Sequence, residues 1–479
     1  MQNKLYQLNE NISYLNLEDN DFIVIIGNKP TWLKTTSTGK EILDFLKKPR
    51  SFNEVMEYLL NEYDISRDTI EPIIKNSIDE FIDAGVITEV NKKKEVKPLP
   101  CIKDLPLQQL WFNITNACNL TCAHCFARTK REKKFVDLKN ALKLIKEAKD
   151  MQIDEIVFSG GEPTLHPDLE KMLIEASQSE KNIKIKLLTN GYLAANEEGQ
   201  QRLLNLVKYL DDIQVSIDGI DKEINDKIRG EGSYELACNT FEILSKTDVK
   251  VGLSLTPLPE NIDTLKDLYK FAINYNVDYI HFNRVKKPAG NEYNNDYLYS
   301  LDFSRESYKL FDELYKEYVK IHEDMRGMHN VKYVALDHSF DPGNELITSI
   351  KKERCSAGFL TIAVNPNGDA YPCAALSREK SLRFGNVFEN GLENVYKYGR
   401  KIMEEIFSVD KNEKCSKCMF RYFCGGGCRA TAIKINEPDY YCDVMQERFI
   451  DFFDRLSLPV IKTFLNKEEF KVSGGMEEE

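Results

Sequence analysis

The chain opens with short apolar runs in extended periodicity and then changes period. Ile12 to Leu17, Asp21 to Ile26 and Thr31 to Lys34 read as three β-strands. Helical spacing follows. Thr38-x-x-Glu41 and Ser51-x-x-Glu54 have capping-box form, and Ser51 precedes Phe52, Val55, Met56, Leu59, Leu60 and Tyr63 at intervals of three and four. A third stripe, Ile70, Ile73, Ile74, Ile78, Phe81 and Ile82, stops at Gly85, a residue suited to a helix C-terminus. Three strands and three helices predict a small α+β domain over residues 1–92.

A polar stretch containing Lys and Pro, 93–106, reads as a linker. Over 107–284 strand and helix patterns alternate, with strands near Leu110, Ile153, Ile183, Ile213, Val249 and Tyr279. Six such units predict α/β architecture with a parallel sheet, as an open barrel or a doubly wound fold. Residues 285–352 form a bridging region with helical patterns but no assignable motif, 353–445 are rich in cysteine, and 446–479 read as a helix and tail, polar from Lys471 to Glu479. The longest apolar run is of the kind Phe22 to Ile26, far short of the roughly twenty residues that cross a bilayer.

Charge removes one function class. With 65 basic and 77 acidic residues the net charge is −12, and no long basic cluster offers a nucleic-acid footprint. The first domain resembles a winged helix, a fold that commonly binds DNA. Its ten Lys and Arg against sixteen Asp and Glu are a poor match for phosphate. An exposed strand beside a helix can instead accept an extended peptide by β-augmentation. The opening Met1-Gln-Asn-Lys-Leu-Tyr has no basic segment leading into an apolar one, so a cytoplasmic location is expected.

The chemistry lies in the twelve cysteines. Cys118, Cys122 and Cys125 follow the apolar run Leu110 to Ile114, and random placement would give that triplet in about one chain in a hundred. Three thiolates at these spacings can hold three irons of a cubane cluster and leave the fourth for a ligand that is not protein. Seven more, Cys355, Cys373, Cys415, Cys418, Cys424, Cys428 and Cys442, crowd the last third. Cys415 and Cys418 would also make a zinc half-site. No histidine lies between Cys355 and Cys442, and spacings of five and three favour iron and sulfide. A disulfide scaffold belongs to short secreted chains.

In parallel α/β folds chemistry collects at the carboxyl ends of strands. The cysteine triplet follows the first strand and Ser159-Gly160-Gly161-Glu162-Pro163 the second. Leu188-Thr189-Asn190-Gly191 closes the third and Val215-Ser216-Ile217-Asp218-Gly219 the fourth. Paired glycines permit close backbone approach to a ligand, and Glu162 offers a carboxylate to an amine.

These residues resemble the radical S-adenosylmethionine (SAM) superfamily, whose Cys-x3-Cys-x2-Cys loop and GGEP motif both stand within 107–284. The resemblance implies a partial (β/α)6 TIM-like barrel and a 4Fe-4S cluster on Cys118, Cys122 and Cys125, its fourth iron chelated by SAM. It implies that Gly160, Gly161 and Glu162 hold the methionine amine, that Asn190 and Ser216 lie near the ribose or sulfonium, and that Arg229 pairs with the carboxylate. His124 stands where the family usually has an aromatic residue. The tail is similar to a SPASM domain with two auxiliary 4Fe-4S clusters. That likeness implies Cys415, Cys418, Cys424 and Cys442 on the outer cluster and Cys355, Cys373 and Cys428 on the inner one, leaving an open iron or a ligand from Cys238, Cys101 or an oxygen or nitrogen donor.

Residues 1–92 are similar in architecture to a RiPP recognition element, which grips the leader of a ribosomally made precursor peptide. Its docking edge corresponds to Thr31 to Lys34 and Ile70 to Ile82. The whole resembles sactipeptide and ranthipeptide maturases. The likeness implies Cys sulfur-to-carbon thioether formation started by a 5'-deoxyadenosyl radical, with a precursor peptide and an external flavodoxin- or ferredoxin-type donor as partners. Other peptide cross-links, epimerisation, anaerobic sulfatase maturation and a non-enzymatic iron-sulfur sensor are the alternatives.

Overall fold

The computed structural model describes residues 4–17, 21–27, 30–90, 99–125, 133–178, 183–283, 300–310, 313, 333–336, 350–432 and 434–455. Most of the bridging region and the Lys471 to Glu479 tail therefore lie outside the described residues.

The first domain contains β1 (Leu5–Leu8), β2 (Ile12–Asn16), β3 (Phe22–Ile26), β4 (Thr31–Thr35), α1 (Ser37–Phe45), β5 (Arg50–Ser51), α2 (Phe52–Glu62), α3 (Arg67–Ala84) and β6 (Ile87–Glu89). The expected strands are β2, β3 and β4, which form one antiparallel sheet in that order. A second sheet, β5-β1-β6, is too short in each strand to show in the periodicity. The Ser51–Glu54 capping box forms as expected. The Thr38 box does not. Thr36 is the cap, its hydroxyl accepting from the Gly39 amide, while Thr38 is buried. α3 ends at Gly85 in the left-handed conformation, φ 76°.

Strand β3 is apolar on both faces, and each face has a different task. Val24 and Ile26 join Ile42, Val55, Ile74 and Phe81 in the domain's own core. Ile23 and Ile25, on the opposite face, join the large core of the rest of the chain. Trp32 meets Phe453 edge-on at 5.1 Å. The first domain is thus built against the helix Cys442–Arg455, with each fully buried aliphatic contributing about 1.5–3 kcal/mol.

The remainder is organised by one ten-stranded sheet. Strands β7 (Gln109–Thr115), β8 (Glu155–Gly160), β9 (Lys184–Thr189), β10 (Asp212–Ser216), β11 (Lys250–Leu255) and β12 (Tyr279–Phe282) lie parallel in sequence order. Helices α4 (Leu138–Asp150), α5 (Leu169–Ser177), α6 (Glu197–Val207), α7 (Lys222–Arg229), α8 (Ser233–Leu244) and α9 (Leu268–Asn274) connect them. This is the partial barrel, with β13 (Tyr333–Leu336) at one edge. At the other edge β14 (Thr361–Val364) runs parallel to β7, followed antiparallel by β15 (Asp369–Tyr371) and β16 (Gly385–Asn386). The cysteine-rich region therefore shares a sheet with the barrel.

The two faces of the sheet differ chemically. Leu110, Phe112, Ile156, Phe158, Leu187 and Ile213 are fully buried beneath the helices. Alternate positions are polar: Lys186 donates to the Tyr279 hydroxyl at 2.7 Å, and that hydroxyl donates to Asp212 at 2.7 Å. Gly252 permits this, because a Cβ there would collide with the Tyr279 ring.

Candidate functional site

The loop after β7 and the loop after β8 lie backbone to backbone. The Gly161 amide donates to the Thr115 carbonyl at 2.8 Å and the Glu162 amide to the Ala117 carbonyl at 2.8 Å. A Cβ on Gly160 would collide with the Thr115 carbonyl, and one on Gly161 with that of Ala117. Only paired glycines bring the GGEP turn this close to the cysteine loop.

On that loop Cys122 is buried, while Cys118 and Cys125 are partly exposed. Burial pushes the Cys122 thiol up to about 11, and the neighbouring Cys125 and Cys118 push it the same way. Two N–H groups face Cys118 Sγ, the Leu120 amide at 3.5 Å and Asn190 Nδ2 at 3.7 Å. Asn190 lies against the cluster loop, where it also donates to Asn119 at 2.9 Å. Ser216 closes β10, pairing in register with Ser254.

Glu162 is 1% exposed. Its Oε1 accepts from the Thr164 amide at 3.1 Å, the Thr164 hydroxyl at 2.6 Å and the Thr189 hydroxyl at 2.8 Å. Among the described residues Oε2 accepts only from the Asn190 amide, at 2.7 Å. Burial raises this carboxyl above its usual range despite those bonds. A buried carboxylate held at the ends of β8 and β9, with acceptor capacity left on one oxygen, fits an ammonium group such as that of SAM.

Arg229, at the end of α7, is largely enclosed, its side chain 11% exposed. Its Nη1 donates to Asp218 Oδ2 at 2.6 Å, so the partner in this structure is an internal carboxylate, and its Nε–H has none. Burial would lower its pKa, but Asp218 and the nearby Cys122 thiolate raise it. Asp218 also accepts from the Thr256 amide at 2.8 Å and faces His124 Nε2 at 3.5 Å. Burial keeps His124 below its usual pKa. Asp218 was legible only as a strand-end turn residue. The charge pair is what the structure adds.

The tail cysteines fall into two groups. After burial, which pushes Cys415 up to about 11, its thiol responds to Cys442 and Cys418. Cys424, pushed by burial to about 12, responds to Asp439, Cys442, Cys418 and Cys415. Burial raises the Cys355 thiol, and the neighbouring Cys428 pushes it the same way. Cys373 follows β15 after Pro372, at the start of the short turn Ala374–Leu376. Among the described residues no three Cys, His, Asp or Glu side chains are already drawn to metal-binding distance. Two spare cysteines are placed elsewhere. Cys238 sits on α8 beside Tyr234 and Tyr275. Cys101 pairs with Lys351 in an isolated bridge and neighbours Glu353.

Comparison with known proteins agrees with this layout. Residues 112–272 match the Radical SAM superfamily and 355–419 match SPASM, an iron-sulfur cluster-binding domain. The mycofactocin maturase MftC of Mycolicibacterium smegmatis is 27% identical over 348 residues, 71% of this chain and 83% of that protein. A cysteine-type anaerobic sulfatase-maturating enzyme of Clostridium perfringens is 25% identical over 383 residues, 73% of this chain and 97% of its own length. In structure the chain is similar to Streptococcus suis SuiB bound to precursor peptide SuiA, with TM-score 0.55, 17% identity, and coverage of 91% of this chain and 99% of that one. A match of that extent takes in part of residues 1–92. Parallel sheet, cysteine loop, GGEP turn and iron-sulfur tail make this chain a radical SAM enzyme with a SPASM domain, using SAM and 4Fe-4S clusters.

Proposed function

We propose that the chain modifies a ribosomally synthesised precursor peptide and forms thioether cross-links within it. The observation that carries this reading is the first domain. β4 is an edge strand of its sheet and lies beside α3, and that sheet rests on the main core through Ile23 and Ile25 of β3 and Trp32 of β4. An edge strand next to a helix accepts an extended leader by β-augmentation. SuiB, similar over most of the chain, was solved with a precursor peptide.

In this reading Cys118, Cys122 and Cys125 hold the SAM cluster, Glu162 receives the methionine amine through Oε2, and Gly160 and Gly161 keep the turn close enough for both. Asn190 orients Cys118, and Ser216 stands toward the SAM side. Arg229 reaches the SAM carboxylate only by sharing its guanidinium with Asp218. Cys415, Cys418, Cys424 and Cys442 hold the outer auxiliary cluster and Cys355, Cys373 and Cys428 the inner one. When bound, SAM and its cluster supply a 5'-deoxyadenosyl radical that removes a hydrogen from carbon. The protein's part is to orient the peptide carbon and exclude water. With three cysteines assigned to it, the inner cluster keeps one iron free in this reading, a place for a substrate thiolate. An external flavodoxin- or ferredoxin-type protein supplies electrons.

Mass spectrometry of a co-expressed precursor tests the linkage. The expected product is lighter by two hydrogens per ring and reverts to unmodified mass when its cysteines are replaced. A two-hydrogen loss that persists without cysteine would contradict the thioether and leave carbon-carbon or carbon-oxygen linkage. Sulfatase maturation is the second reading, favoured by the Clostridium perfringens relative. It gives the first domain no task, and formylglycine on a sulfatase is its readout.

A further inference from the structure

His166 lies just beyond the GGEP turn, four residues after Glu162, and is 1% exposed. Both nitrogens of its ring are engaged. Nδ1 accepts from the Asp168 amide at 3.1 Å, which puts the ring proton on Nε2. Nε2–H donates to the Val136 carbonyl at 3.0 Å. Burial holds the imidazole below its usual pKa, in keeping with a neutral ring. Phe135 meets the ring edge-on at 5.4 Å, and Arg202 of α6 donates to the His166 carbonyl at 2.7 Å.

Val136 belongs to a segment that runs back along the root of the cysteine loop. Its amide donates to the Ile114 carbonyl at 2.9 Å, Phe135 pairs antiparallel with Thr115, and the Asn116 amide donates to the Lys134 carbonyl at 3.1 Å. The Thr115 hydroxyl donates to the same Lys134 carbonyl at 2.8 Å and accepts from the Ala117 amide at 3.0 Å. Residues 114–117 and 134–136 thus form one ribbon, and Cys118 follows it directly. Thr115 and Ala117 are also the residues whose carbonyls take the Gly161 and Glu162 amides.

The turn that carries Glu162 is therefore fastened to this ribbon at both ends. Between the ends lies a single 3-10 turn, Pro163–Leu165, closed by the Leu165 amide on the Glu162 carbonyl at 3.1 Å and the His166 amide on that of Pro163 at 2.9 Å. Backbone amides make the first attachment, and the His166 imidazole makes the second. Held at the first end alone, so short a turn is free to pivot. The Glu162 carboxylate takes two of its bonds from Thr164, inside that turn, so a pivot would carry it away from Thr189 and Asn190 and from the cysteine loop.

We propose that His166 is a positioning residue for SAM: its bond to Val136 fixes the Glu162 carboxylate relative to the cysteine loop, so that amine and cluster are met in one geometry. This rests on the reading that Glu162 receives the methionine amine. His166 itself touches neither SAM nor peptide in this account and moves no proton.

The test is SAM cleavage by anaerobically reconstituted full-length protein, with 5'-deoxyadenosine formation followed against SAM concentration and iron counted so that variants are compared at equal loading. Glu162→Gln comes first and is expected to raise KM for SAM about tenfold or more. An unchanged KM there would overturn the Glu162 reading and the role of His166 with it. His166→Asn keeps an acceptor for the Asp168 amide, as in an Asx turn, but is too short to reach Val136. It is expected to raise KM about tenfold, with kcat within about twofold of wild type. His166→Gln can place an N–H where Nε2–H stood and is expected to keep KM within about twofold of wild type. With Glu162→Gln impaired, an unchanged KM in His166→Asn, equal rises in both His166 variants, or a rise in His166→Gln alone would overturn the proposal and leave His166 a turn or packing residue. If His166→Asn does not load, His166→Ser, which keeps the same turn bond more weakly, takes its place with the same outcomes. Failure of both to load, while His166→Gln loads, would make the bond to Val136 a requirement of folding and overturn the positioning role.

Discussion

Both cysteine regions contain an enclosed arginine beside their thiols, and the two are handled oppositely. In the loop after β7, Arg229 is matched by Asp218 at 2.6 Å, so the pair brings almost no net charge to Cys122. In the tail, Arg429 donates to the Glu437 and Gly426 carbonyls and stacks on the Phe407 ring, while the buried Asp439 carboxylate beside it is held by the Cys428 and Tyr441 amides and the Thr431 hydroxyl. The first arginine is balanced by a carboxylate, and the second is held by the backbone of its own turn.

The strongest way to break this comparison is to remove a cluster from each side. Cys118→Ala is expected to abolish 5'-deoxyadenosine formation, by at least 100-fold in a chromatographic assay. Cys424→Ala is expected to stop modified peptide from accumulating while leaving SAM cleavage in place. Equal loss of cleavage in both variants would mean that the sites do not divide the work.

A smaller effect sharpens the charge argument. Asp218→Asn leaves Arg229 enclosed without its counter-charge, and stability is expected to fall by about 3–5 kcal/mol in urea unfolding of the unloaded protein. Asp218→Asn with Arg229→Met should recover part of that loss, because the orphaned charge is gone. No recovery would show that Asp218 acts through Thr256, not through Arg229.

Leader recognition should be weaker still in energetic terms. A separate leader peptide in excess is expected to slow modification of the full precursor several-fold, with no effect on cleavage of SAM alone. Absence of competition would remove β4 as the docking edge.

The smallest expected effect concerns the support of the Arg229 turn. Asp226 accepts from the Gly232 amide at 3.0 Å, the Tyr234 amide at 2.8 Å and the Ser233 hydroxyl at 3.1 Å, closing the link between α7 and α8. Burial would raise its pKa, but the Tyr234 and Gly232 amides outweigh that and lower it. Its contribution is therefore complete above the ordinary carboxylate range and lost as pH falls through the depressed value. Asp226→Ala is expected to cost about 1–2 kcal/mol at pH 7 and nothing extra in strong acid. Unfolding curves at both pH values check it.

Much of this was legible in the sequence where one feature alone carries the signal. Six strands of the barrel stand out because the positions turned toward the helices are apolar in alternation, as at Leu110, Phe112 and Ile114 in β7 and Ile213 and Val215 in β10. The Ser51 cap and the Gly85 stop are local as well. What escaped depends on partners far apart in the chain. Strands β1, β5 and β6 are two to four residues long and exist only by pairing with each other. Thr38 lost its cap role because Thr36, two residues earlier, satisfies the Gly39 amide. Asp218 and Arg229 were both visible, eleven residues apart, but only the fold makes them a pair. Arg429 carried one unused signal, the Gly425-Gly426-Gly427 run before Cys428, since three positive-φ residues in succession mark a turn built around something.

Peptide modification by a SAM-derived radical is most directly tested with the loaded full-length protein, SAM, a reductant and a leader-bearing precursor under anaerobic conditions, by mass spectrometry of both products. The expected result is 5'-deoxyadenosine together with a peptide two hydrogens lighter for each ring formed. A precursor unchanged in mass and stereochemistry, while 5'-deoxyadenosine accumulates at the rate seen without peptide, would contradict it.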